Sequence, residues 1–128
     1  MPSQKRKFGN AGEAIAGQYL KNKGYEVIGT NYLKPWGEID IIAKKKDLLV
    51  FCEIKTRERK HVEHFPAEAS VNRLKIRKLQ KICETYLLEK RYSLHQKWQI
   101  DVISVAVDKE NKKALVKHFE NAVWESIY

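Results

Sequence analysis

Apolar and polar residues recur along this chain in two alternating rhythms. Between Asn10 and Gly24, Ala11, Ile15, Ala16, Tyr19 and Leu20 fall at helical spacing, which predicts a helix ending on a left-handed Gly24. Three strand-like runs follow, YEVIGTNYL, GEIDIIAK and DLLVFCEIKT, separated by Pro35-Trp36-Gly37 and by Lys44-Lys45-Lys46-Asp47. Such short connections predict an antiparallel meander. Residues 57–69, RERKHVEHFPAEA, show no period and read as a loop. A second helix is predicted over about 70–90, with Leu79, Ile82, Cys83, Tyr86 and Leu87 on one face. The strand WQIDVISVAV, a turn at DKENKK and a short strand ALVKHF complete the pattern. The order α-β-β-β-α-β plus a short extra strand predicts a mixed β-sheet flanked by helices.

One part of this pattern is anomalous. Asp40 interrupts IDIIA, and Glu53 and Lys55 interrupt LLVFCEIK, the strongest strand signals in the chain. Alternation puts Glu53 and Lys55 on one face with Leu49 and Phe51, and Leu48, Val50, Cys52 and Ile54 on the other. Both faces are mostly apolar, as in a central strand covered on both sides. An even-length hairpin loop brings Asp40 to the face of Glu53 and Lys55. With Lys45-Lys46 as the turn Asp40 lies diagonal to Glu53, and a loop two residues longer sets them directly opposite.

Two carboxylates held so close repel each other unless something compensates them. A hard divalent cation does so, and Mg²⁺ takes one or two protein carboxylates, completing its shell with water and substrate phosphate. A lysine beside them can orient or deprotonate water, or stabilise developing charge. This grouping suits phosphodiester hydrolysis. The alternative is a buried carboxylate–lysine ion pair with no metal.

Composition fits that picture without deciding it. The 128 residues are 43% hydrophobic and 32% charged, enough for one domain with one core, and no segment repeats. Residues 1–8 read as a flexible basic lead, with neither an apolar leader nor a membrane-spanning run in the chain. Lysine and arginine exceed aspartate and glutamate by 25 to 16, a net +9 that favours a polyanionic partner. The candidate phosphate contacts are Arg57, Arg59 and Lys60 after the second anomalous strand, and Arg73, Lys75 and Lys78 on the following helix. Cys52 and Cys83 sit inside predicted elements and read as buried thiols of a reducing, cytoplasmic compartment.

The residues also carry a resemblance. Asp40, twelve residues, then Glu53-Ile54-Lys55 resembles the D…ExK core of the PD-(D/E)xK nucleases, the restriction-endonuclease-like superfamily, whose element order is the same. More narrowly, GNAGEAIAGQYL, GEIDIIA, VFCEIKTR, LKIRKLQKICETYL, QIDVI and HFENAVW resemble the YraN family of small bacterial proteins from about Gly9 to Trp124. The fold and motif are also similar to those of archaeal Holliday-junction resolvases. The resemblance implies that Asp40 and Glu53 bind Mg²⁺ or Mn²⁺, that Lys55 assists catalysis and that Glu13 is a ligand or supports one. It implies a DNA substrate rather than RNA, branched or otherwise structured, and admits a homodimer. Ile39 stands where the superfamily motif often has proline, and Gln99 where YraN-like chains often carry a basic residue.

Several residues have a second reading. Asn10 and Glu13 are spaced as a capping box, a role compatible with a site role. Glu38 is either a further acid near the metal or a solvent-facing residue at the strand entry. His61 and His64 read as solvent-exposed rather than as metal ligands, Asp101 as a buried hydrogen-bonding residue rather than one stabilising the site from the neighbouring strand, and Trp36, Trp98 and Trp124 as core or hinge packing rather than platforms for stacking bases. A non-catalytic nucleic-acid-binding or adaptor protein keeping the same fold is the alternative function.

Overall fold

The computed structural model describes residues 4–58 and 73–122, with the backbone alone at 4–9 and 73. The elements are α1 (Gln4–Asn22), β1 (Glu26–Lys34), β2 (Gly37–Lys45), β3 (Leu48–Glu58), α2 (Arg73–Glu89), β4 (Trp98–Asp108) and β5 (Lys113–Phe119). They form one five-stranded mixed sheet in the order β1-β2-β3-β4-β5. β3 and β4 run parallel, joined through α2, and the other neighbours are antiparallel. The predicted meander and the α-β-β-β-α-β-β order are present.

Each helix covers one face of the sheet. Ala16 and Leu20 of α1 pack on Ile41, Ala43, Val50, Cys52, Ile103 and Val105. Leu79, Ile82, Cys83 and Tyr86 of α2 pack on Ile39, Ile42, Leu49, Phe51 and Ile100. β3 alternates between the two clusters as a doubly covered strand must. Full burial of a side chain such as Phe51, 1% exposed, stabilises the fold by about 1.5–3 kcal/mol.

The helix ends follow local chemistry. At the end of α1, Tyr25 N–H donates to Leu20 O at 2.9 Å and Gly24 N–H to Lys21 O at 3.0 Å, with Gly24 at φ 92°. This is the left-handed closure that the sequence predicts at Gly24. α2 closes in the same way at Arg91, whose φ is 58°.

Three expectations are corrected. α1 starts at Gln4 rather than near Asn10, so Asn10 lies within the helix and not at its N-terminal cap position. Gln4, Lys5, Arg6 and Lys7 are good helix formers, and a capping residue downstream of them is bypassed. β3 runs to Glu58, so Arg57 is a strand residue and not part of a loop. The β2–β3 turn is Lys46-Asp47 rather than Lys45-Lys46, with Lys46 at φ 56°. Moving the turn by one residue moves the pairing by two positions, so the facing of every side chain is kept. His61, His64 and Trp124 lie outside the described residues.

Candidate metal and phosphodiester site

β2 and β3 pair from Lys45↔Leu48 to Ile41↔Cys52, and the ladder stops there. The next step would set Asp40 opposite Glu53. Instead Asp40 Oδ2 accepts a hydrogen bond from Ile54 N–H at 2.8 Å, so the carboxylate takes the place of a strand partner. The alternation of β2 also breaks at this level: Ile39 packs with the α2 cluster and Ile41 with the α1 cluster. On the other side of β2, Asn31 falls between the pairs Thr30↔Ile41 and Tyr32↔Ile39 and adopts φ 51°. These irregularities turn Asp40 out of the ladder and into a cleft.

That cleft, about 560 Å³, is lined by Glu13 of α1, Trp36 and Gly37 at the β1–β2 turn, Glu38 and Asp40 of β2, Glu53 and Thr56 of β3, and Lys75, Lys78, Leu79 and Ile82 of α2. α1 reaches it because Gly12 lets the helix approach closely: a Cβ there would come within 2.8 Å of Thr56 Cβ. Glu13, the next residue, is thereby delivered to the cleft.

The electrostatics are those of crowded acids. The Asp40 carboxyl is pushed up to about 7, first by burial and then by the charges of Glu38, Glu53 and Glu13, against the lowering effect of the Ile54 N–H. Glu53 Oε1 meets Lys75 Nζ at 2.6 Å and Lys55 Nζ at 3.1 Å. Glu53 Oε2 is buried and, among the described residues, is the buried side-chain oxygen with no hydrogen-bond partner. Burial lowers Lys55, the neighbouring Lys75 lowers it further, and Glu53 opposes both. For Lys75 burial also acts downward, but hydrogen bonds to Glu53 and Lys55 and the charges of Glu53 and Asp40 outweigh it, and the net shift is upward. Of the two lysines, Lys55 is the one moved towards a neutral amine.

A buried carboxylate oxygen with no donor fits a cation better than it fits a closed ion pair. With Asp40 and Glu13 beside it, the donor set is all oxygen, as Mg²⁺ and Mn²⁺ prefer. Asp40, Glu53 and Glu13 are the residues of this cleft that could hold such an ion, whereas the group whose ligand atoms already lie within 4.8 Å of one another, among the described residues, is Asp101, His118 and Glu120.

The remaining sequence-predicted residues divide. Lys78 is exposed on the cleft rim, whereas Lys75 lies deeper, bound to Glu53. Arg57 is half-buried on β3 and does not line the cleft. Arg59 and Lys60 lie outside the described residues, as does the side chain of Arg73. Glu38 is exposed, yet it lines the cleft and acts on Asp40.

Asp101 pairs with Cys52 and so faces α1, away from the cleft. It is fully buried and accepts hydrogen bonds from Gln99 Nε2 and Asn121 N–H, both at 2.8 Å, and it meets His118 Nε2 at 2.6 Å. Tyr19 OH completes the chain at 3.1 Å from His118 Nδ1. The buried hydrogen-bonding role expected of Asp101 is the one it has.

Sequence reasoning preferred packing to base stacking for Trp36, which is 46% exposed in the cleft, and it missed the depth of Lys75. Its position between Pro35 and Gly37, two residues before Glu38, was the available signal for Trp36. Trp98, by contrast, packs on Phe51 with ring centroids 5.7 Å apart, as expected.

Asp40, Glu53 and Lys55 stand on the central strands of a five-stranded mixed sheet flanked by two helices, in a protein of the mixed α/β class. The chain belongs to the family described as Uncharacterised protein family UPF0102, whose profile matches residues 12–105. It is 38% identical over 117 residues to a UPF0102 protein of Clostridium botulinum (strain 657 / Type Ba4), covering 90% of this chain and 92% of the relative. It is 39% identical over 117 residues to one of Alkaliphilus oremlandii (strain OhILAs), covering 91% and 97%. It is 37% identical over 114 residues to one of Fervidobacterium nodosum (strain ATCC 35602 / DSM 5306 / Rt17-B1), covering 88% and 79%. The YraN resemblance read from the motifs is this family.

Proposed function

We propose that this protein is a metal-dependent endonuclease that hydrolyses phosphodiesters in branched or otherwise structured DNA. The observation that carries the reading is the partnerless buried Oε2 of Glu53, in one cleft with Asp40 and Glu13 and beside Lys55. When bound, Mg²⁺ or Mn²⁺ would lower the barrier by stabilising negative charge on the phosphate and on the attacking water.

The chain's own residues supply the rest. Asp40, held by Ile54 N–H, and Glu53, held by two ammonium groups, present oxygens in a fixed arrangement. Lys55, 3.1 Å from Glu53 Oε1, orients the attacking water and stabilises the charge that develops on the phosphate, and the water's proton passes to solvent. The water oxygen bonds to phosphorus as the bond to the leaving ester oxygen breaks, and that oxygen takes a proton from solvent. Lys78 on the rim holds flanking phosphate without reading sequence. A homodimer would offer two such clefts to a symmetric junction. A reducing cytoplasm suits the two buried free thiols, and no helix among the described residues is long and apolar enough to cross a membrane.

The test is cleavage of end-labelled four-way-junction, flap and duplex DNA with Mg²⁺, Mn²⁺ or EDTA. Metal-dependent cutting is expected from the wild type. It should fall by at least about a hundredfold in Asp40→Ala and Glu53→Ala while circular dichroism stays native. Cutting that survives both substitutions sinks the proposal. The ion pairs on Glu53 Oε1 favour the second reading, a non-catalytic DNA-binding adaptor, which predicts binding indifferent to metal and no turnover.

A further inference from the structure

The cleft is lined by two chemically different sets of side chains. Glu13, Glu38, Asp40 and Glu53, with Lys75 and Lys78, are charged, while Trp36, Leu79 and Ile82 are apolar. A hydrated cation and a phosphodiester need only the first. At about 560 Å³ the cleft is also in the size range of organic-ligand sites, roughly 300–1,000 Å³.

The apolar set is incompletely covered. Leu79 and Ile82 are 9% and 1% exposed and belong to the core, but Trp36 is 46% exposed. Trp36 is also carried on the two-residue turn that leads into β2, so the strand presenting Asp40 presents the indole as well. An aromatic left half-exposed in a charged cleft offers a ring face on which a flat group can stack.

We infer that Trp36, in the cleft that Leu79 and Ile82 also line, is a stacking platform for an unpaired nucleobase next to the phosphodiester held by the acidic residues. Base–aromatic stacking is sequence-tolerant, because every base offers a π-face. Inside a duplex both faces of a base are occupied by its neighbours, so only a nucleotide already unstacked enters without an unstacking cost. The substrate class is therefore a strand with an unpaired nucleotide at the scissile position, as at a flap, gap or junction centre, and continuous duplex is disfavoured. The inference rests on the nuclease reading for the phosphate, and Trp36 is a specificity residue within it.

The experiment uses Asp40→Asn protein, which holds DNA without cutting it, and strands with 2-aminopurine either at an unpaired gap position or within continuous duplex. Fluorescence quenching at the gap, with gapped DNA bound more tightly than duplex, is the expected result. Adding Trp36→Ala should reduce the gap-over-duplex affinity ratio about tenfold, and Trp36→Phe should restore most of it. An unchanged ratio in Trp36→Ala overturns the inference and leaves the nuclease reading standing. Failure of the Asp40→Asn protein and the wild type to bind any of these DNAs overturns both. A Trp36→Ala effect equal on gap and duplex also overturns it, marking the residue as a general contact or a fold support.

Discussion

Asp40 shows how much one misplaced strand residue can carry. Its carboxyl would ordinarily titrate at 3.8 but is raised to about 7 by burial and by three neighbouring acids. A raised carboxyl means that the folded state holds its proton more tightly than the unfolded chain. The associated stability is thus fully present below about pH 4 and is lost as pH rises through about 7. In metal-free protein this contribution should decline by about 2–4 kcal/mol over that interval, and Asp40→Asn should remove the decline. Urea midpoints measured in EDTA across the interval check it, and parallel curves for the two proteins count against it. Above pH 7 Mg²⁺ should raise the wild-type midpoint and leave Asp40→Asn almost unmoved, since a ligand stabilises only the state that binds it. Asp40, Glu53 and Lys55 were legible in the sequence because an acid in an apolar strand is a local anomaly and strand parity is a local rule. The exposure of Trp36 and the pairing of Lys75 with Glu53 were not, because nothing local distinguishes a packed indole or a solvated lysine from one directed into a cleft.

At the scale of elements, the site depends on α1 lying close to β3. Gly12 permits that approach, and its contact is with the side chain of Thr56, a cleft residue. Gly12→Ala should force the helix outward and cost about 1–3 kcal/mol by overpacking. Thr56→Ala added to it should recover part of that loss, since it removes two of the three atoms a methyl would meet and leaves Thr56 Cβ. Denaturation of the two single variants and the double variant measures this as a coupling, and strict additivity would refute the contact. Cleavage should fall further than stability in Gly12→Ala, because the same helix delivers Glu13. The strands were readable to within a residue or two from their alternation. The start of α1 was not, because the cap signal at Asn10 is a preference that four upstream helix formers outweigh.

For the whole molecule, the net charge of +9 predicts DNA affinity that falls steeply with salt. Lys78 on the rim should act as a phosphate contact. Lys78→Ala should weaken junction, flap and duplex binding alike and make the salt slope shallower by about 0.9. Fluorescence anisotropy between roughly 50 and 200 mM salt reads this out, and a loss confined to one DNA shape would assign Lys78 a different role. The charge was plain from composition, but its placement depends on how α2 packs. Ile76 buries beside Val102, which pairs with Glu53, and that packing sets Lys75 against Glu53.

The sequence by itself determined the element order, the two-faced central strand, and the placing of Glu53 and Lys55 on one side of it. Each depends on periodicity and parity, which act over a few residues. Only the tertiary structure decided that the β2–β3 ladder stops at Asp40, that Glu13 arrives from α1 and Lys75 from α2, and that Asp101 faces the other side of the sheet. It also decided that one oxygen of Glu53 is buried with no donor and that Trp36 stands half-exposed in the cleft. Those outcomes depend on contacts between residues far apart in the chain, where packing and desolvation, not local pattern, select the arrangement.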